Sequence, residues 1–526
     1  MKRLPVVCAL VIVMIILQIG LALRQSLWAD EIFSLAMATG HSLEHPAAVA
    51  RPELGDYVES EAPVSASTLR QYAEDQEPVA GFGRVLRAVT MSDTSPPLYY
   101  LLLRAWTRVV GVSDLALRLF SILFSVACVG LVAVLGREIA NARAGWMAAG
   151  LFVIAPMSLY YSTEGRMYSL LWCCVLATAL ATAKLYRGVA NWRWQMLWVS
   201  AAAAGMLVHY YFVFPLVAIG GFLVIWRGAD RRGRWLARVT AVALLILPWY
   251  AKLPHTLAQW RITQHWVEWK PDGYNRWVVL RDLLVQYFSG NGHYLWNVHR
   301  MAEMLALVAF GVAGLLAWKA GRKQPGDALP GMVWLWFAAA CVGPLAADAA
   351  RGTFIAEYPR YSSAALPAAC LLGGIALSRL AMPVGGLLMC LIGLGWAPSV
   401  ASIYRSRSRS GQPMADVARH VSAYGRGDDL VLVHSIPSGA IGLARYATTP
   451  AAFATWVGQL GLRHVPESMI ALLKDRRRVF LVKVHTVGEP APEETWLREN
   501  AVLVKEKQLA EAFIYEFTPK KAVVFP

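Results

Sequence analysis

A few charged side chains stand against long apolar runs. Asp30 and Glu31 close the stretch Trp28-Ala29-Asp30-Glu31, and Asp93 opens DTSPPLYY at 93–100. Glu164 and Arg166 lie within YYSTEGRMY at 160–168, and Glu357 and Arg360 within EYPRY at 357–361. Charge beside apolar runs is costly, so its presence is informative. A carboxylate is ionised at neutral pH and can take a proton late in a displacement. A second carboxylate beside it tends to raise one of the two pKa values. Guanidinium suits phosphate, and Arg360 enters an apolar run, where it needs an anion such as a lipid phosphate. The chemistry these residues could do is base-assisted displacement on a lipid-linked, phosphate-bearing substrate. Plainer readings stand beside it. Asp30 and Glu31 also fit a helix start, Glu164 and Arg166 a mutual ion pair, Asp93 a capped helix, and His209 in His209-Tyr210-Tyr211 an interface position.

The elements that must position these groups are membrane helices. Of 526 residues 57% are hydrophobic and 16% charged, against about 25% charged in a soluble domain. The excess sits in runs long enough to cross a ~30 Å hydrocarbon core. This excludes an ordinary soluble enzyme, a disordered chain and a disulfide scaffold, and argues against a β-barrel. Candidate spans are 4–23, 115–136, 144–162, 167–187, 192–209, 212–227, 236–252, 301–318, 331–348, 361–378 and 383–400, about 11 transmembrane helices. The first is read as an uncleaved span with its N-terminus inside.

The net charge of +16 belongs to loops rather than to a nucleic-acid face. With that start, Arg137 and Arg143, then Lys184, Arg187 and Arg193, then Arg227, Arg231, Arg232, Arg234 and Arg238, then Lys319, Arg322 and Lys323, then Arg379 all fall on the cytoplasmic side. The first external loop is acidic, with eleven carboxylates and five arginines over 24–94. The segment 96–111, with Arg104 and Arg108, is read as a helix lying at the interface or re-entering, anchored by Tyr99, Tyr100 and Trp106. Arg405, Arg407 and Arg409 run against the pattern. All seven cysteines lie in apolar runs, which predicts no disulfide framework and no cysteine metal site.

The chain divides into a membrane body, 1–403, and a small external α/β domain, 404–526. The body carries external loops 24–114 and 253–300, the second rich in Trp and His (Trp260, His265, Trp266, Trp269, Trp277, His293, Trp296, His299). In the tail, helices are predicted over 414–424 and 467–476, and strands over 429–434, 479–485 and 512–517.

Five motifs in order, WADE at 28–31, DTSPPLYY at 93–100, SLYYSTEGRMYSL at 158–170, HYY at 209–211 and PRYSSAALP at 359–367, resemble the polytopic GT-C glycosyltransferases of the glycosyltransferase 39-like group. That group includes protein O-mannosyltransferases, lipid A aminoarabinose transferases and RgtA/B/C/D-like enzymes. The family usually has His before the double proline; here it is Ser95. The resemblance implies a GT-C fold, a polyprenyl-phosphate-linked sugar donor, an acceptor hydroxyl on a lipid, glycan or protein, inversion, and an external active site in a bacterial inner membrane. It implies Asp30 as base and Glu31 as orienting or second polar contact. Arg166, Arg360 and Tyr361 would hold the donor phosphate, and Asp93, Ser95, Tyr99, Glu164, His209 and Tyr210 would line the cavity. No cofactor or obligatory metal is expected. Competing readings are a lipid or glycan transporter or flippase, for which inverted repeats and midplane sites would be expected, an O-antigen ligase or polymerase, and a structural protein with a partner-binding tail.

Overall fold

The computed structural model describes residues 4–93, 95–189, 191–227, 232–290, 300–321, 327–486, 488 and 490–520. Thr94, Arg231, His293, Trp296, His299, Arg322 and Lys323, named above, lie outside them. Among the described residues, seven helices are long and apolar enough to cross a membrane, and nine if two bent pairs each count as one span. The predicted spans 192–209 and 212–227 are the helices Trp192–Val208 and Val213–Arg227. The chain is a multi-span helical membrane protein with a small sheet at its C-terminal end.

The first helix, α1 (Leu4–Arg24), turns by 95° into α2 (Ala29–Ala38). A helix end leaves carbonyls without partners. Here Arg118 supplies them: Nη1 donates to Ala22 O (2.8 Å) and Gln25 O (2.5 Å), and Nη2 to Ser26 O (3.0 Å). Its remaining donors reach Glu31, at 2.8 Å from Nε to Oε1 and 2.7 Å from Nη2 to Oε2. All five N–H groups of one guanidinium thus fix the corner between α1 and α2. Within α1 the buried Gln18 donates to Ser125 (2.9 Å) and Ser162 (2.6 Å), so its amide does not face lipid unpaired.

Helices Asp114–Ile139 and Ala142–Ile154 cross in contact at Gly136 and Gly145. A Cβ on Gly145 would meet Ala133 O at 2.1 Å, so only glycine permits that approach. The turns read as cytoplasmic do share one end. Lys184 reaches Glu138 (2.5 Å), Arg187 reaches Asp327 (2.8 Å), and Arg143 donates to Leu380 O (2.6 Å).

The segment 96–111 departs from expectation. It forms the helix Leu98–Val110, but Tyr99 and Tyr100 are buried and not lipid anchors. Arg104 is also buried, donating to Asp75 (2.5 Å) and Ala80 O (3.0 Å). The first loop thus supplies the partners that a helix at the membrane surface would have sought from headgroups.

The tail sheet has the order β2-β1-β3-β5-β4, with β1 (Asp429–His434), β2 (Ala452–Trp456), β3 (Arg478–Lys483), β4 (Ala501–Leu509) and β5 (Ala512–Pro519). β1 runs parallel to β2 and β3, and β5 antiparallel to β3 and β4. Alternating residues face opposite sides. Leu430, Leu432, Val479 and Leu481 form a core with Met469, Leu472 and Leu497. Val431, Val433, Phe453, Phe480 and Val482 instead join the main core with Ile32 and Leu35 of α2. The tail is therefore built into the body. Val64 of the first loop pairs with Phe453 by two backbone hydrogen bonds of 2.7 Å, covering the β2 edge.

Candidate functional site at the first bend

Trp28 immediately precedes α2, and Glu31 caps the helix by accepting from Trp28 N at 3.3 Å. The same carboxylate accepts from Gly165 N at 2.8 Å. Residues 30 and 164 therefore lie at one end of the molecule, as the site requires. Glu31 is fully buried between Arg118, Gly165 and Trp28.

Asp30 has a different setting. Its side chain is 27% exposed, and Oδ2 accepts from Arg360 Nη1 at 3.1 Å. The anion that Arg360 finds within the chain is thus a carboxylate. Rings surround this guanidinium, with centroids at 5.2 Å for Trp266 and Tyr358, 5.3 Å for Tyr361 and 6.0 Å for Trp28. Such faces attract a cation and hold the arginine in place. Trp266 comes from the loop that begins at 253, so that loop covers the site.

Beside this pair stands a second one. Arg166 Nη1 donates to Ser34 Oγ and Tyr100 OH, each at 3.1 Å, and lies 3.7 Å from Asp93. Asp93 accepts from Ser95 N at 3.0 Å and from the Tyr100 hydroxyl. Tyr361 lies within the fields of Arg360, Asp30, Arg166 and Asp93 together. His209 senses Arg166, Asp93 and Arg360, and its ring faces Tyr361 at 6.2 Å. Tyr210 is further out, accepting from Trp249 Nε1 at 3.1 Å. Tyr99 packs behind the site against Tyr100 and Phe120.

Glu164 and Arg166 do not pair with each other. Glu164 lies 3.5 Å from Arg409, and burial pushes its carboxyl up to about 7 against the pull of that arginine. Arg409 also donates to Tyr160 O (2.8 Å), Thr163 Oγ1 (2.8 Å) and Gln25 Oε1 (3.1 Å).

Several participants escaped the sequence reading. Arg118 was legible as a lone charge inside the run 115–136. Arg409 looked like one of a surface cluster. Nothing in the sequence marked Gln412, which accepts from Ala29 N (3.0 Å) through its carbonyl and shares a hydrogen bond with His485 Nδ1 (2.8 Å). His485 holds a left-handed backbone, φ 49°, which is costly for a residue with a Cβ, and it senses Asp30 and Arg360. The tail thus reaches the acid that begins α2.

The arrangement is a partly exposed carboxylate and two positioned guanidinium groups at the end of a membrane bundle. Comparison with known structures decides the fold. ArnT from Cupriavidus metallidurans bound to undecaprenyl phosphate superposes with a TM-score of 0.59 over 99% of both chains, at 13% identity.

The chain has the GT-C glycosyltransferase fold.

The apo form of the same ArnT gives a TM-score of 0.55 over 94% of this chain and 97% of that one, at 12% identity. The family model described as dolichyl-phosphate-mannose-protein mannosyltransferase matches residues 94–251. That stretch holds Ser95, Glu164, Arg166 and His209 of this GT-C chain, but neither Asp30 nor Arg360. No curated protein sequence matches.

Proposed function

We propose that this protein transfers a sugar from a polyprenyl-phosphate-linked donor to an acceptor hydroxyl, with inversion and with Asp30 as base. The observation that carries the reading is the Asp30–Arg360 pair, with the Arg166–Asp93 pair beside it. A base and two phosphate-binding groups converge where an isoprenoid carrier lying in the bilayer can present its head group. The site faces the external side of a bacterial inner membrane in this reading, consistent with arginine-rich turns at the other end.

The acceptor O–H donates to the free side of the Asp30 carboxylate. Its oxygen attacks the anomeric carbon as the bond from that carbon to the phosphate oxygen breaks. The electron pair leaves with the phosphate, and the proton goes to Asp30. One in-line displacement inverts the centre. Arg166 and Arg360 meet the charge that grows on the departing phosphate, and donors positioned in this way contribute about 3–4 kcal/mol each. An arriving phosphate also shares Arg360, which loosens its hold on Asp30 and makes that carboxylate a better base. Guanidinium groups carry the leaving-group charge in this scheme, so it requires no metal. Glu31 fixes the corner on which Asp30 is mounted.

The test is transfer by the purified full chain from synthetic polyprenyl-phosphate sugars, with the product anomer read by NMR. Asp30→Asn should lower the rate by about 10²–10⁴-fold. Normal transfer by that variant would remove the base assignment. Mass spectrometry of envelope lipids and glycans in a deletion strain should show one lost sugar and an accumulated polyprenyl-phosphate sugar.

A further inference from the structure

Where the first and last membrane helices end, the fold leaves a cavity of about 280 Å³ lined by Arg24, Ser26, Arg407, Ala415, Asp416 and Arg419. Arg24 is the last residue of α1, and Arg407 follows the helix Met382–Arg405. Asp416 and Arg419 belong to the helix Met414–Tyr424. Three guanidinium groups therefore face one carboxylate. That carboxylate is already engaged, since Asp416 pairs with Arg419 at 2.7 Å. Arg24 and Arg407 make no ion pair among the described residues.

The walls are fixed. Gln25 donates to Ile403 O (3.3 Å) and Ser406 O (3.1 Å), the Tyr404 hydroxyl donates to Leu17 O, and Leu21 packs on Ile403. This is an open recess rimmed by exposed arginines, with excess positive charge.

The depth selects the ligand. The pocket lies where apolar helices leave the hydrocarbon, the level of lipid phosphates. A volume of about 280 Å³ leaves room for a phosphodiester headgroup. Arginine suits phosphate better than lysine does. We propose that this pocket is a second anion site, distinct from the Asp30–Arg360 site, which holds the phosphate of an anionic membrane lipid. The reading also accounts for Arg407, one of the three arginines that ran against the charge pattern; Arg409 turns inward to Glu164. It shares no residue with the proposed transfer site, so the two stand or fall separately.

The test uses the full chain in nanodiscs of phosphatidylcholine with added phosphatidylglycerol, extracted with detergent and read by native mass spectrometry. The wild type should retain one phosphatidylglycerol. Arg24→Gln with Arg407→Gln should lower retention by about thirtyfold, from the loss of two surface arginines, and Arg498→Gln on the far side of the tail should not. Arg24→Gln and Arg407→Gln taken singly should each lower retention by about fivefold; they also keep the test open if the double variant misfolds. Excess inorganic phosphate should leave retention unchanged. Displacement of the lipid by phosphate in the wild type would keep the anion site and overturn the lipid as its source. Equal retention by wild type, the double variant and both single variants, at matched thermal stability, would overturn the proposal.

Discussion

Asp30 and Glu31 are neighbours in the chain but meet different surroundings. The Glu31 side chain is sealed at 0% exposure against Arg118, whereas the Asp30 side chain keeps 27% of its surface and one contact, to Arg360. Opposite outcomes on substitution follow. Glu31→Gln leaves Arg118 buried without its counter-charge, and breaking a buried pair in this way costs about 3–5 kcal/mol. Asp30→Asn removes a partly solvated pair worth about 0–1 kcal/mol. Thermal unfolding in detergent should show a large drop in midpoint for Glu31→Gln and little change for Asp30→Asn.

Arg360 sits among four rings, two of them tryptophans. Lysine in its place keeps the charge but loses the planar fork and its stacking. Arg360→Lys should weaken binding of undecaprenyl phosphate by tenfold or more, the equivalent of one charged hydrogen bond at about 1.5–3 kcal/mol. Quenching of Trp28 and Trp266 fluorescence on titration would report it. Unchanged affinity would move the phosphate away from Arg360.

Much of this site was legible because charge beside apolar runs is rare enough to notice. Asp30, Asp93, Arg166 and Arg360 were all singled out, and the structure brings them together. What the sequence hid were the partners. Glu164 and Arg166 are two residues apart and invite pairing, yet the turn between them points each to a different element. Arg118 and Arg409 meet their carboxylates across 87 and 245 residues of chain, a separation that no local pattern encodes. In the tail, the helix 414–424 and strand 429–434 matched their observed bounds. The strand Ala501–Leu509 was missed because most of its residues are exposed, leaving no apolar period to read. The packing of the tail helix Pro437–Tyr446 against α2 was invisible for the same reason that any buried face looks alike from sequence: it names no partner.

The first loop is tied to the second by Glu44, which accepts from Thr263 Oγ1 (2.5 Å) and Thr263 N (3.2 Å). Burial pushes this carboxyl up to about 8, with Asp93 adding to the rise and Arg261 opposing it. A carboxyl raised on folding binds more protons in the native state. Its contribution is therefore fully present below the unfolded value near 4.5 and is lost as pH rises through about 8. Hydrogen exchange across 253–268 should accelerate between these limits in the wild type. Glu44→Gln, which stays neutral and retains an acceptor, should flatten that dependence. An equally steep profile in the variant would assign the effect to another group.

The tail is joined to the body by charge as well as by packing. Arg409 is the cation beside buried Glu164. Tyr446 and Arg445 both bind Asp114, the latter at 2.7 Å, and Leu27 N donates to Tyr446 OH at 2.8 Å. A chain ending at Arg405 would lose these contacts and expose the apolar side of α2 that the helix Pro437–Tyr446 covers, where Gly442 stands against Ile32. Such a fragment should not fold, and residues 406–520 alone should aggregate through the helix face left uncovered. Arg409→Met tests the charge without removing the domain. It strands Glu164 in a buried position, so that the acid folds only in its protonated form. Stability should fall by about 3–5 kcal/mol, and the loss should be greater at high pH, where keeping that proton costs more. Glu164→Gln combined with Arg409→Met removes both charges and should recover much of the loss, as unfolding midpoints across pH would show; no recovery would mean that Arg409 acts through Tyr160 and Gln25 instead.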